Sequence, residues 1–210
     1  MQGFPPEEPN QATLENWRKA PYCNWAFHHV RELVPSAEIQ NDPANVWELE
    51  TGSFDTSKIG LDEALVQTDT DALVIIHDNK LVYETYCNGM TSRDPHILMS
   101  VSKSMLGLVA GTLVERNELN EKDLITKYIP ELAHSAYAGA TVRNLLDMRV
   151  GVLFNEDYLA TEGPIIDYRY AANWNPVPKD RETGDLRSFM SFLTEVDGAH
   201  GARFHYVSPH

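Results

Sequence analysis

The stretch from Ala72 to Tyr86 leaves this chain the fewest structural choices. It reads Ala-Leu-Val-Ile-Ile-His, then Asp78-Asn79, then Lys-Leu-Val-Tyr-Glu-Thr-Tyr. β-Branched and aromatic residues dominate both runs, and the two polar residues between them suit a tight turn, so the pattern predicts a β-hairpin. A lone hairpin is marginal in water and leaves an open edge, so it needs further elements to cover it. The chain has 210 residues, 42% hydrophobic and 23% charged, which fits a soluble globular protein of one domain or one and a half.

After a loop over residues 89–95 the chain enters Met99-Ser100-Val101-Ser102-Lys103-Ser104, which opens a strong helical pattern running to about Arg116. Val101, Met105, Leu108, Val109, Thr112 and Leu113 share one side of that helix and predict a broad buried face. Ser100 and Lys103 stand one turn apart on the same face, near enough to share a proton. A serine hydroxyl is a poor nucleophile at neutral pH, and an adjacent amine can serve as its base. Unpaired N–H groups in the first turn add positive potential that can hold an oxyanion. The alternative reading makes Ser100 or Ser102 a helix cap and Lys103 a solvated first-turn residue.

The flanking sequence is less regular. Residues 1–10 are Pro-rich and acidic and are expected to be extended or mobile. Thr13 to Lys19 and Tyr22 to Leu33 carry helical spacing, with Trp17, Trp25 and Phe27 as packing anchors and Pro35 as a stop. Residues 36–70 read as a connection with one short helix near Leu61 to Val66. Asn117 to Leu132 reads as a turn, a short helix and a proline stop, and Thr141 as the cap of another short helix before Gly151.

Composition excludes several function classes. A net charge of −14 repels phosphate backbones and anionic membranes, so neither nucleic acid nor membrane is expected as a partner. Cys23 and Cys87 lack C-x-x-C spacing and fit reduced thiols better than a disulfide framework, with a single bridge as the alternative; with no signal-peptide pattern, a cytoplasmic location is expected. His28 and His29 point about 100° apart on a helix and have no third ligand nearby, and the remaining histidines are scattered, so no metal site or cofactor is expected. There is no G-x-S-x-G elbow, H-E-x-x-H pair or phosphate-binding glycine loop.

Longer phrases carry a family likeness. The S-V-S-K helix, L-x-x-x-D-L-I-x-K-Y-I-P-E-L over residues 119–132 and A-T-V-R-N-L-L-D-M-x-x-G-V over residues 140–152 resemble the serine β-lactamase-like hydrolases related to class C β-lactamases. Within them, F-N-E-D-Y at residues 154–158 and F-H-Y-V-S-P at residues 204–209 look closest to the 6-aminohexanoate-dimer hydrolases, which cleave a linear nylon-type amide. The resemblance implies an α+β fold of the β-lactamase and penicillin-binding-protein type, an antiparallel sheet with a helical region. It divides the chain into a helical and connecting region over residues 1–70 and the N-terminal part of a hydrolase domain over residues 71–210.

By the same resemblance Ser100 is the acyl-accepting nucleophile, Lys103 its proton acceptor, and Tyr206 of the Y-x-S motif the proton shuttle, with Ser208 hydrogen-bonded within the site. Tyr158 matches a loop tyrosine that closes over substrate and contacts the scissile amide. The loop over residues 155–170 is acidic, and Asp167 is the expected partner for the ammonium of a linear substrate; a solvated acidic loop is the alternative. Arg149-Val150-Gly151 departs from the T-S-G usual in relatives. Relatives also continue well past the second motif and add a strand beside the serine that contributes to the oxyanion hole. The chain is therefore expected to be the N-terminal part of such an enzyme, completed by a further C-terminal segment or in a homodimer. The expected partner is a small-molecule amide or ester. Amide hydrolysis leads, carboxylesterase action and then β-lactam hydrolysis follow, and a catalytically silent truncated relative is the alternative of another class.

Overall fold

The hairpin turn forms where Asp78 and Asn79 both take left-handed backbone angles, φ 50° and 59°, the geometry whose twist matches two antiparallel strands. In the computed structural model, which describes residues 3–210, β2 (Ala72–His77) pairs antiparallel with β3 (Lys80–Tyr86), Ala72 opposite Tyr86 and His77 opposite Lys80. The register shifts between Ile75 and Ile76. A two-residue strand that the sequence pattern does not reveal, β1 (Glu50–Thr51), lies parallel to β3 on its other side, giving a mixed sheet of order β1-β3-β2. Lys80 Nζ meets Glu50 at 3.1 Å, and Gly52 N–H donates to the Leu81 carbonyl at 2.8 Å, which extends the edge by one bond.

Two compact units make up the chain, Met1–Ile97 and Leu98–His210, with the boundary between the hairpin and the S-x-x-K helix. The first unit holds the sheet, α1 (Cys23–Ala26) and α2 (Leu61–Gln67). The helix expected near Leu61 forms, but the helical spacing of residues 13–33 yields only α1 and turns. The physical reason is local competition: Asn16 Oδ1 accepts from Thr13 N–H at 2.7 Å and Asn16 Nδ2 donates to the Gln11 carbonyl, offering the backbone a turn instead of a helix. Trp17 is buried and meets Phe27 edge-on at 6.0 Å, so it does anchor this segment. Residues 3–10 contain a 3-10 turn over Glu8–Asn10 rather than an extended lead.

The second unit opens with α3 (Val101–Glu115). Its expected apolar face is present but uncovered: Val101, Met105, Leu108 and Val109 are each more than half exposed, and Ala110 is the helix's one buried residue. The core lies elsewhere. It is built from α4 (Ile125–Tyr128), α5 (Val142–Leu146), α6 (Pro164–Ala171), α7 (Leu186–Phe192) and the loops between them, with Tyr137, Leu132, Val152 and Val207 almost fully enclosed. Phe154, Tyr168 and Phe189 pack edge to face across it, with centroids 5.7–6.4 Å apart. Thr141 caps α5 as predicted, its hydroxyl accepting from Asn144 N–H while Asn144 Oδ1 accepts from Thr141 N–H.

Two segments of this unit run side by side and carry the C-terminal motif. Val152 bridges Val196, Leu153 N–H donates to Glu195, and His205 N–H donates to the Met148 carbonyl at 2.8 Å. Gly151 is required by their close approach, because a Cβ there would lie 2.1 Å from the Gly198 carbonyl oxygen. The Tyr137 hydroxyl then donates to the Pro209 carbonyl at 2.9 Å and pins the end of the segment to the core. No helix among the described residues is long and apolar enough to cross a membrane.

Candidate active site

The serine of the S-x-x-K pattern sits where a strained turn becomes a helix. Met99 has φ 47°, in the left-handed region that a non-glycine residue occupies at a cost, and Ser100 is the first residue back in helical geometry. Ser102 is the one that behaves locally, its hydroxyl donating to the Met99 carbonyl at 2.6 Å. Ser100 makes no capping bond. Its Oγ instead receives Lys103 Nζ at 3.1 Å, with both residues half-buried. The capping reading of Ser100 and the solvated reading of Lys103 thus both give way to a serine and lysine in contact.

Tyr206 reaches the same place from the other end of the unit. Val207 is buried in the core, and that anchorage carries Tyr206 and Ser208 to the surface on either side of it. Lys103 Nζ lies 5.5 Å from the centre of the Tyr206 ring, within the range of a cation–π contact. Ser208, two residues further on, binds elsewhere: its hydroxyl donates to Glu156 Oε1 at 2.6 Å, and its backbone N–H donates to the other oxygen of the same carboxylate. Tyr158 joins through its hydroxyl, which donates to Glu156 Oε1 at 2.8 Å. Glu156 beside it, with a smaller contribution from burial, pushes the Tyr158 phenol up to about 12. Burial likewise raises Tyr168, which a hydrogen bond with Ser208 partly offsets.

A family profile described as Beta-lactamase matches residues 61–204, which include Ser100 and Lys103. The chain belongs to the beta-lactamase family. A curated relative named 6-aminohexanoate-dimer hydrolase, from Paenarthrobacter ureafaciens, is 34% identical over 209 residues, covering 98% of this chain and 52% of its own length. A solved structure from Bacillus anthracis, provisionally described as a 6-aminohexanoate-dimer hydrolase, superposes with a TM-score of 0.81 at 26% identity, covering 96% of this chain and 55% of that one. The chain therefore has the β-lactamase-type α+β fold and spans about half the length of these relatives.

Within this family member, Ser100, Lys103 and the Tyr206 ring form one set of contacts, and Ser208, Glu156 and Tyr158 form a second, two residues along the chain from Tyr206. Asp167 stands in another pairing. Its carboxylate receives Arg181 Nη2, whose guanidinium also lies 4.9 Å from the Tyr170 ring centre, and the two charges border a cavity of about 220 Å³ with Phe189, Phe192 and Leu193. Two residues that sequence reasoning did not single out hold the Tyr158 loop. One is Glu156; the other is Arg169, buried on α6, which donates to the backbone carbonyls of Tyr158 at 2.9 Å and Ala160 at 3.3 Å. An arginine among apolar positions of a short helix is the one sequence signal for it, since a buried guanidinium must find acceptors. Among the described residues no group of acidic, histidine or cysteine side chains forms a metal cluster.

Proposed function

We propose that the chain carries the acylating half of a serine hydrolase that cleaves the amide bond of a short linear substrate, as the name of its 34% identical relative suggests. Ser100 Oγ attacks the carbonyl carbon as the Lys103 amine takes its proton. The C–N bond then breaks, with Tyr206 passing a proton to the departing amine, and water later cleaves the Ser100 ester by the reverse relay. The observation that carries this reading is the Lys103 Nζ to Ser100 Oγ contact at 3.1 Å at a serine that makes no helix cap. Asp167 is the partner for a substrate ammonium, by exchange of its present partner Arg181. Carboxylester cleavage is open to the same acyl-enzyme chemistry. Free Cys23 and Cys87 support a reducing, cytoplasmic setting.

Labelling with a fluorophosphonate probe tests the assignment. The native chain labels at Ser100, Ser100→Ala abolishes labelling, and Lys103→Met slows it by about 10²- to 10⁴-fold, the usual contribution of a general base. Labelling elsewhere, or at an unchanged rate in Lys103→Met, overturns it.

A further inference from the structure

The first unit holds a cavity of about 690 Å³ between the turns of residues 27–34 and the segment ending at Ile97, a size typical of small-molecule sites. Its wall is tied together by the backbone: Ile97 N–H donates to the Phe27 carbonyl at 2.7 Å and Val34 N–H to the Val30 carbonyl at 3.1 Å. Phe27, Val30, Val34 and Ile97 line it and are each only half-buried, so an apolar body lying on them covers surface that the chain leaves in water. Two opposite charges border the same cavity. Arg31 stands on the 3-10 turn Val30–Glu32; past Pro35 the Ser36 hydroxyl donates to the Val34 carbonyl at 3.0 Å, and the chain brings Glu38 to the cavity. Among the described residues neither charge forms an ion pair, with the other or with a third residue. His28, 8% exposed, also lines the cavity; its Nε2–H donates to the Asn24 carbonyl at 2.6 Å, and Nδ1 has no protein hydrogen bond among the described residues. A buried ring nitrogen in that position is an acceptor that a ligand or water must satisfy.

We propose that this cavity is a binding site for a linear zwitterion, a methylene chain whose carboxylate end meets Arg31 and whose ammonium end meets Glu38, with its apolar middle on Phe27, Val30, Val34 and Ile97. The site goes beyond the hydrolase reading, since no residue named for acyl transfer lines it. A ligand charged at one end leaves the opposite charge of the cavity without a partner, and an uncharged one leaves both. Arg31 and Glu38 are exposed, so each charged contact adds selectivity, while burial of the methylenes supplies most of the affinity. The free lone pair of His28 gives the cavity a second acceptor, which favours a ligand that brings N–H donors with it.

Titration calorimetry of the full chain with 8-aminooctanoate, octanoate and octylammonium, three probes of one chain length, tests this. The zwitterion binds tighter than either single-ended probe by about two- to fivefold, the worth of one exposed charged contact. Arg31→Gln removes its advantage over octylammonium and leaves octylammonium unchanged; Glu38→Gln removes its advantage over octanoate and does not weaken octanoate. Both positions are exposed, so the urea midpoints of the two variants match that of the native chain. Methyl NMR places the ligand: saturating 8-aminooctanoate shifts the methyl signals of Val30, Val34 and Ile97. No saturable binding of 8-aminooctanoate up to about 10 mM overturns the proposal. So do equal affinities for the three probes, an affinity that neither variant changes, or shifts confined to other methyl groups. None of these readouts uses turnover, so a chain that fails to acylate at Ser100 refutes the hydrolase reading and leaves this one to be decided by its own titration.

Discussion

Replacing Tyr137 with phenylalanine isolates the bond that pins the Tyr206 segment to the core. Tyr137 is completely buried, and its hydroxyl donates to the Pro209 carbonyl at 2.9 Å, 72 residues along the chain. The ring volume is kept, so no cavity opens. The variant loses a net hydrogen bond of ~1 kcal/mol and leaves a buried carbonyl unpaired, for a total of ~1–3 kcal/mol. A melting temperature lower by roughly 2–12 °C follows for a chain of this length. The pH dependence identifies the cause. Burial holds the Tyr137 phenol well above its ordinary range, so the unfolded chain ionises near pH 10 while the folded chain does not. The stability this group contributes is fully present below about pH 10 and is lost as pH rises above it, by up to ~1.4 kcal/mol per pH unit. Urea unfolding of both proteins from about pH 8 to pH 11 measures this, and the gap between them narrows above pH 10. A gap below about 0.5 kcal/mol, or one that does not change with pH, means that this hydroxyl does not pin the segment.

Other perturbations follow from the same structure. Gly151→Ala places a Cβ against the Gly198 carbonyl, which is backbone and cannot swing aside; denaturant unfolding should find it destabilised by ~1–3 kcal/mol. Gly107→Ala and Gly111→Ala meet open space on α3, so the same measurement should find each stabilised by ~0.5–1 kcal/mol. Thr141→Ala removes the α5 cap and costs ~1 kcal/mol, read as a lower urea midpoint with unchanged slope.

What was legible in the sequence was local. The Asp78-Asn79 turn, the α3 helix, α2 and the Thr141 cap are set by neighbouring residues, and each forms where the pattern puts it. Ser100 and Lys103 belong to this class as well, since one helical turn is enough to bring them together. The pairing of β1 with β3, the Asn16 turn that displaces a helix and the uncovered face of α3 depend on what lies across space, which periodicity does not encode. Glu156 shows this most clearly. In the sequence it is one of several acidic loop residues, indistinguishable from solvated charge. Its partner Ser208 lies 52 residues away, and only the fold brings that hydroxyl, its N–H and the Tyr158 hydroxyl onto one carboxylate.

Everything proposed for the site depends on Ser100 becoming acylated. Rapid quenching of the chain with a linear amide dimer and with the corresponding ester, followed by intact mass and peptide mapping, reads that event itself. An adduct of the acyl half of each substrate is expected on Ser100, absent in Ser100→Ala and slow to form in Lys103→Met. Turnover without that adduct, or an adduct on Ser102, Ser104 or Tyr206 instead, would contradict the assignment of Ser100 as nucleophile.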